Sequence, residues 1–237
     1  MDVINWLFDA QLTIGDQHIL WREIFGNGFG LASAVGGMRR RVWAWPVGIV
    51  GNVLLFTVFL GVAFDNPQGQ TLYGQAARQV FFIGVSIYGW YRWHETAKAG
   101  GTAVAVSPRW ATGRERAFLI FGGAAAVAVC YFVFSAIGAG FPAEWWYYLA
   151  DSWIFVGSIL ATYAMARGWI EFWLCWIAVD LVGVPELLHF KFYPSAILYG
   201  IYGVFVIWGF FVWWRVYREE GGAGPTPVDP AIETVGT

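Results

Sequence analysis

Apolar residues run along this chain in seven blocks, parted by short polar or Gly- and Pro-bearing breaks. They fall at residues 19–37, 43–64, 72–93, 117–138, 145–166, 169–188 and 194–214. Each is long enough to cross a hydrocarbon layer about 30 Å thick as an α-helix. The short alternating segments of a membrane β-barrel are missing. The pattern predicts an all-α polytopic membrane protein with seven transmembrane helices.

The breaks divide the chain further. Residues 1–18 form a lead that carries Asp2, Asp9 and Asp16 and no Lys or Arg. Asp65-Asn-Pro-Gln-Gly-Gln reads as a turn, and so does Gly140-Phe-Pro. Residues 94–116, the longest polar segment, read as a solvated cytoplasmic linker, and residues 215–237, with three prolines, as a disordered cytoplasmic tail. Three domains of helix follow: residues 19–93, a connector at 117–138 and residues 143–214.

Composition strengthens this reading. Only 13% of the residues are charged, against about 25% in a soluble domain, and 16 are tryptophan, a residue that gathers at membrane interfaces. Eleven of the 14 Lys and Arg residues fall in the breaks after blocks one, three and five, at the very end of block three (Arg92) or in the tail. The positive-inside rule then sets the N-terminus outside and the C-terminus in the cytoplasm. A net charge of −2, with no basic stretch interleaved with aromatics, gives no footprint for nucleic acid. Cys130 and Cys175 both lie inside apolar blocks, and His18, His94 and His189 have no ligand spacing. No metal, cofactor, P-loop or catalytic constellation is expected, so the chain reads as a non-enzyme.

An internal repeat sharpens the architecture. Gly30, Met38 and Arg40 align with Gly157, Met165 and Arg167, and Gly89 and Trp93 align with Gly209 and Trp213. A three-helix unit ends on the side opposite its start, so a plain fourth helix is needed to set a second copy parallel. The expected plan is 3+1+3, an arrangement that holds substrate near the midplane between the halves.

The sixth block carries the sharpest chemistry. Trp173, Trp176 and Asp180 lie at i, i+3 and i+7, one helical face, with Asp180 near mid-span. A mid-membrane carboxylate costs about 2.5–3.5 kcal/mol on insertion scales, so Asp180 must face protein or water, and Arg78 is its expected partner. Trp45 and Asn52 on block two, Gln75 and Gln79 on block three, and Tyr199 and Tyr202 on block seven complete a candidate substrate site. Flat rings with amide and phenol groups suit a planar, hydrogen-bonding heterocycle. The same tryptophans would also serve as packing, and Asp180 as a structural anchor.

Several stretches resemble the Pnu family of vitamin transporters, whose best-known members carry nicotinamide riboside. They are the Trp43-Ala-Trp-Pro entrance of block two, Tyr88-Gly-Trp-Tyr-Arg-Trp, and the W-x-x-W-x-x-x-D of Trp173, Trp176 and Asp180. Gly15-Asp-Gln-His-Ile-Leu-Trp, Met38-Arg-Arg-Arg-Val-Trp-Ala-Trp-Pro and Val179-Asp-Leu-Val-Gly-Val-Pro look most like its riboflavin-importing (RibM-type) branch. The resemblance implies a SWEET-like fold in the plasma membrane and facilitated diffusion of a vitamin, trapped inside by phosphorylation. Its partners are then the vitamin, the bilayer and, at most, further copies of the chain. Pocket chemistry leaves riboflavin and the cationic nicotinamide riboside both open, since Asp180 and indole faces would also hold a pyridinium. A substrate-binding subunit of a larger ATP-driven complex is the alternative of another class.

Overall fold

The structure is a computed structural model describing residues 10–14, 17–60, 73–100, 105–138, 144–189 and 193–220. The turn read at Asp65 to Gln70 and the tail beyond Glu220 lie outside the described residues. So do the side chains of Gln75 and Lys191.

Part of the expected lead is a hairpin of β1 (Gln11–Ile14) and β2 (Gln17–Leu20), antiparallel, with Gln11 opposite Leu20. Seven helices follow among the described residues: α1 (Trp21–Met38), α2 (Ala44–Phe59), α3 (Tyr73–Gly100), α4 (Gly113–Ile137), α5 (Trp145–Ala166), α6 (Glu171–His189) and α7 (Tyr193–Glu219). α4 contains one π turn, Phe118–Gly122. Among the described residues, three helical stretches (α4, α5 and Tyr199–Glu219 of α7) are long and apolar enough to cross a membrane. In α1, Asn27 finds its partner in its own helix, its amide donating to the Glu23 carbonyl at 3.0 Å.

The helices pack as two groups of three. α2 lies against α1 and α3, α6 lies against α5 and α7, and α3 meets α5 across the groups. α4 leans chiefly on α5 and buries only 6% of its apolar window, as a plain connector would. The two groups repeat specific contacts. The Trp45 indole lies on Gly89 and edge-on to Trp93 at 5.2 Å; the Trp173 indole lies on Gly209 and edge-on to Trp213 at 6.2 Å. Only a residue without a Cβ lets an indole approach a helix backbone that closely.

The corners α1–α2 and α5–α6 also match. At each, paired backbone bonds close the helix end: Arg41 N–H to Gly36 O and Arg40 N–H to Gly37 O, then Trp169 N–H to Ala164 O and Gly168 N–H to Met165 O. Both are Schellman caps, with left-handed residues at Arg40 (φ 56°) and Gly168 (φ 72°). The sequence alignment set Arg40 against Arg167; the caps set it against Gly168, one residue on. A left-handed arginine is unfavourable, and the Arg40 guanidinium is held by the Val106 carbonyl at 3.3 Å and by Glu220 at 2.8 Å.

The segment read as a solvated linker differs most from expectation. Residues 94–100 continue α3, and residues 105–112 pack down onto both corners. Ala105 and Ala111 join the aromatic core of Trp93, Trp169, Trp173 and Trp213 at this basic end. Ala105 N–H donates to Arg40 O, and Arg109 pairs with the second corner through Gly168 O and Ile170 N–H, at 2.9–3.0 Å. Glu171 accepts from Ala111 N–H at 2.9 Å and from the Arg116 guanidinium at 2.8 Å. The segment is polar because it trades hydrogen bonds with two buried turns, which composition alone does not separate from solvation.

Candidate substrate site

Between the two helical groups, α3 and α6 run antiparallel and meet where Phe82 tilts onto Trp176, ring centroids 6.5 Å apart. About one turn further from the basic end, each helix carries a polar side chain with an unused acceptor. These are Gln79, 3% exposed, with its Oε1 unpaired, and Asp180, with its Oδ2 buried and unpaired. A rise of 1.5 Å per residue puts both some 4–6 Å beyond the Phe82–Trp176 contact. Unmet buried acceptors are costly, and they call for donors from something that binds there.

Asp180 comes up against α7. A Cβ at Gly203 would stand 3.6 Å from Asp180 Oδ2, and the Tyr199 ring covers Gly183, within 3.4 Å of where a Cβ would lie. Tyr202 lies within electrostatic reach of Tyr199. The expected pairing of Arg78 with Asp180 is corrected, because among the described residues Arg78 acts electrostatically on Asp151 and Glu186, on α5 and α6, while Asp180 Oδ2 has no hydrogen-bond partner. Asn52 is half-buried on α2. Trp45 and Trp173, each 3% exposed, have their ring faces taken up by Gly89 and Gly209. Trp176 is the half-buried indole of the sixth-block pair.

Sequence reading passed over a second aromatic layer nearer the basic end. Tyr88 of α3 and Tyr163 of α5 stack at 5.9 Å with planes 12° apart. Arg167 donates to the Tyr88 hydroxyl at 3.5 Å and reaches Glu115 at 3.5 Å, while Glu115 takes Arg109 in a closer two-pronged bond at 2.7 and 2.8 Å. Arg109 and Arg167 both lie against the Trp169 indole, at 5.7 and 5.6 Å. Burial works against the Arg167 cation, but the Tyr88 hydroxyl, Tyr163 and Glu115 outweigh it and raise its pKa above the ordinary value. The one available sequence signal was Tyr88 itself, inside the aromatic run ending block three.

Residues 20–215 match the family model described as nicotinamide mononucleotide transporter. The chain belongs to that family. The riboflavin/roseoflavin transporter RibM of Streptomyces davaonensis is 39% identical to it over 218 residues, 92% of this chain and 95% of that protein. The nicotinamide riboside transporter PnuC of Escherichia coli is 26% identical over 246 residues, with the same coverage of each chain. The crystal structure of the vitamin B3 transporter PnuC shares the fold, with TM-score 0.64 at 17% identity, over 91% of this chain and 86% of that one. Family membership, the transporters it resembles and three described helices long and apolar enough to cross a membrane make this an integral protein of the plasma membrane.

Proposed function

We propose that the protein imports riboflavin by facilitated diffusion, with alternating access and trapping by cytoplasmic phosphorylation, and that it catalyses no reaction. The observation that carries this is the 39% identity, over nearly the whole of both chains, to a transporter of riboflavin and roseoflavin. The site agrees in kind. Trp176 offers an indole to a tricyclic ring, and the free acceptors of Gln79 and Asp180 suit the imide and hydroxyl donors of a flavin. Asn52, Gln75, Tyr199 and Tyr202 fill out the same reading, with Trp45 and Trp173 as its rigid support. Nicotinamide riboside is the second reading, favoured by the 26% relative and by the half-buried Asp180 carboxyl group, which would suit a cation.

The same proposal assigns residues 19–93 and 143–214 to two parallel three-helix repeats joined by the connector at 117–138. The matched indole–glycine contacts and Schellman corners support this plan. It places the basic corners in the cytoplasm and the N-terminus outside.

Quenching of flavin fluorescence by the purified protein in detergent tests the substrate. Saturation at submicromolar riboflavin, unaffected by excess nicotinamide riboside, is the expected result. Asp180→Asn, which loses charge and acceptor strength, should weaken binding about tenfold, the scale of one hydrogen bond to a charged group. Saturable binding of nicotinamide riboside with no flavin quenching would overturn the riboflavin reading and leave the second.

A further inference from the structure

The basic end closes in two different ways, and the difference is informative. Residues 105–112 are tied to the second corner by a backbone bridge at Arg109 and by the Glu171 carboxylate, all at 3.1 Å or less. Across the boundary between the helical groups, the face-to-face Tyr88–Tyr163 stack lies under Arg167. Arg167 touches both sides at the limit of bonding: 3.5 Å to the Tyr88 hydroxyl on α3, and 3.5 Å to Glu115, whose carboxylate is already engaged by Arg109. Half-buried and always charged, Arg167 is held by each of these two partners only at 3.5 Å.

We propose that Tyr88 and Tyr163 form the inner gate of the path between the halves, and that Arg167, steadied by Glu115, is its latch. The gate lies on the route from the Phe82–Trp176 level to the cytoplasm. When α3 moves away from α5, the stack parts and Arg167 leaves the Tyr88 hydroxyl but keeps Glu115. Its charge therefore never loses a counter-ion during opening. The inference rests on the transport reading for its purpose, but its test needs no vitamin.

Ser86 lies on the α3 face of Gln79 and Phe82, just outward of Tyr88, and is itself buried. A Ser86→Cys variant lacking Cys130 and Cys175 would be labelled by a membrane-impermeant maleimide, in right-side-out and inverted vesicles. Adding Arg167→Gln should speed labelling from the cytoplasmic side and slow it from the outside, each by roughly two- to fivefold, the scale of one weak charge contact. Tyr88→Phe keeps the ring and removes only the latch acceptor, and should act in the same direction. Equal acceleration from both sides would mean loosened structure and overturn the proposal, as would no change in either variant. A protein that gates in this way but does not quench riboflavin would instead count against the substrate alone.

Discussion

At the scale of single residues, the close approaches are made by glycine. The Trp45 and Trp173 rings occupy the space that a methyl group would need at Gly89 and Gly209. Neither buried indole can swing aside, because Trp93 and Trp213 hold their edges. Gly209→Ala and Gly89→Ala should each lower stability by about 1–3 kcal/mol, the usual cost of overpacking a tight core. Thermal unfolding in detergent checks this, with Gly84→Ala, where a Cβ meets nothing within 4 Å, as the neutral control. The aromatic and polar character of the candidate site was legible in the sequence, because a tryptophan or aspartate inside an apolar run is conspicuous. What could not be read was which tryptophans have ring faces to spare. That depends on glycines some 40 residues away in the chain, and nothing in the spacing of Trp173, Trp176 and Asp180 reveals that Gly209 claims the first of them. Asn27 shows the opposite case, its partner being one turn back in its own helix.

At the scale of elements, helix positions followed from apolar run length, and α5 has the bounds the pattern predicts. Residues 105–112 did not follow. A stretch of Ser, Pro, Arg and Thr looks alike whether water or two buried corners satisfy it, and only the tertiary structure distinguishes the cases. Its stability has a specific support. The Glu171 carboxylate, buried at the head of α6, takes both the Ala111 amide and the Arg116 guanidinium. Glu171→Ala leaves the Ala111 N–H buried without that acceptor, at a cost of about 1–3 kcal/mol. That corresponds to a fall of several degrees in melting temperature for a chain of this size. Glu171→Gln, which can still accept one bond, should lose about half as much. Equal melting temperatures for all three proteins would show that this segment adds nothing to the fold.

At the scale of the whole molecule, charge and topology make one joint statement. The corners at Arg40 and Gly168 share a cap and lie at the same basic end, as two copies of one unit set parallel would require. If that end is cytoplasmic, a protease site fused after the last residue should be cleaved in inverted vesicles and protected in right-side-out ones. The reverse pattern would invert the topology proposed above. Family and fold class were legible early because they depend on motifs and run lengths spread over the chain. Which acids surround Arg78 was not, because Asp151 and Glu186 come from two other helices.

The π turn of α4 has a consequence for how this helix serves the molecule. A π turn takes one residue more than an α turn, so it offsets the helix before it from the helix after it by about 100°. After the turn, Gly123 packs against Leu160 of α5; before it, Glu115 reaches Arg109 and Arg167. An unbroken α-helix seated on Leu160 would aim Glu115 more than a quarter-turn away from both arginines. One surplus residue thus works as a clocking device, bringing a lipid-facing rod and an ionic cluster into phase.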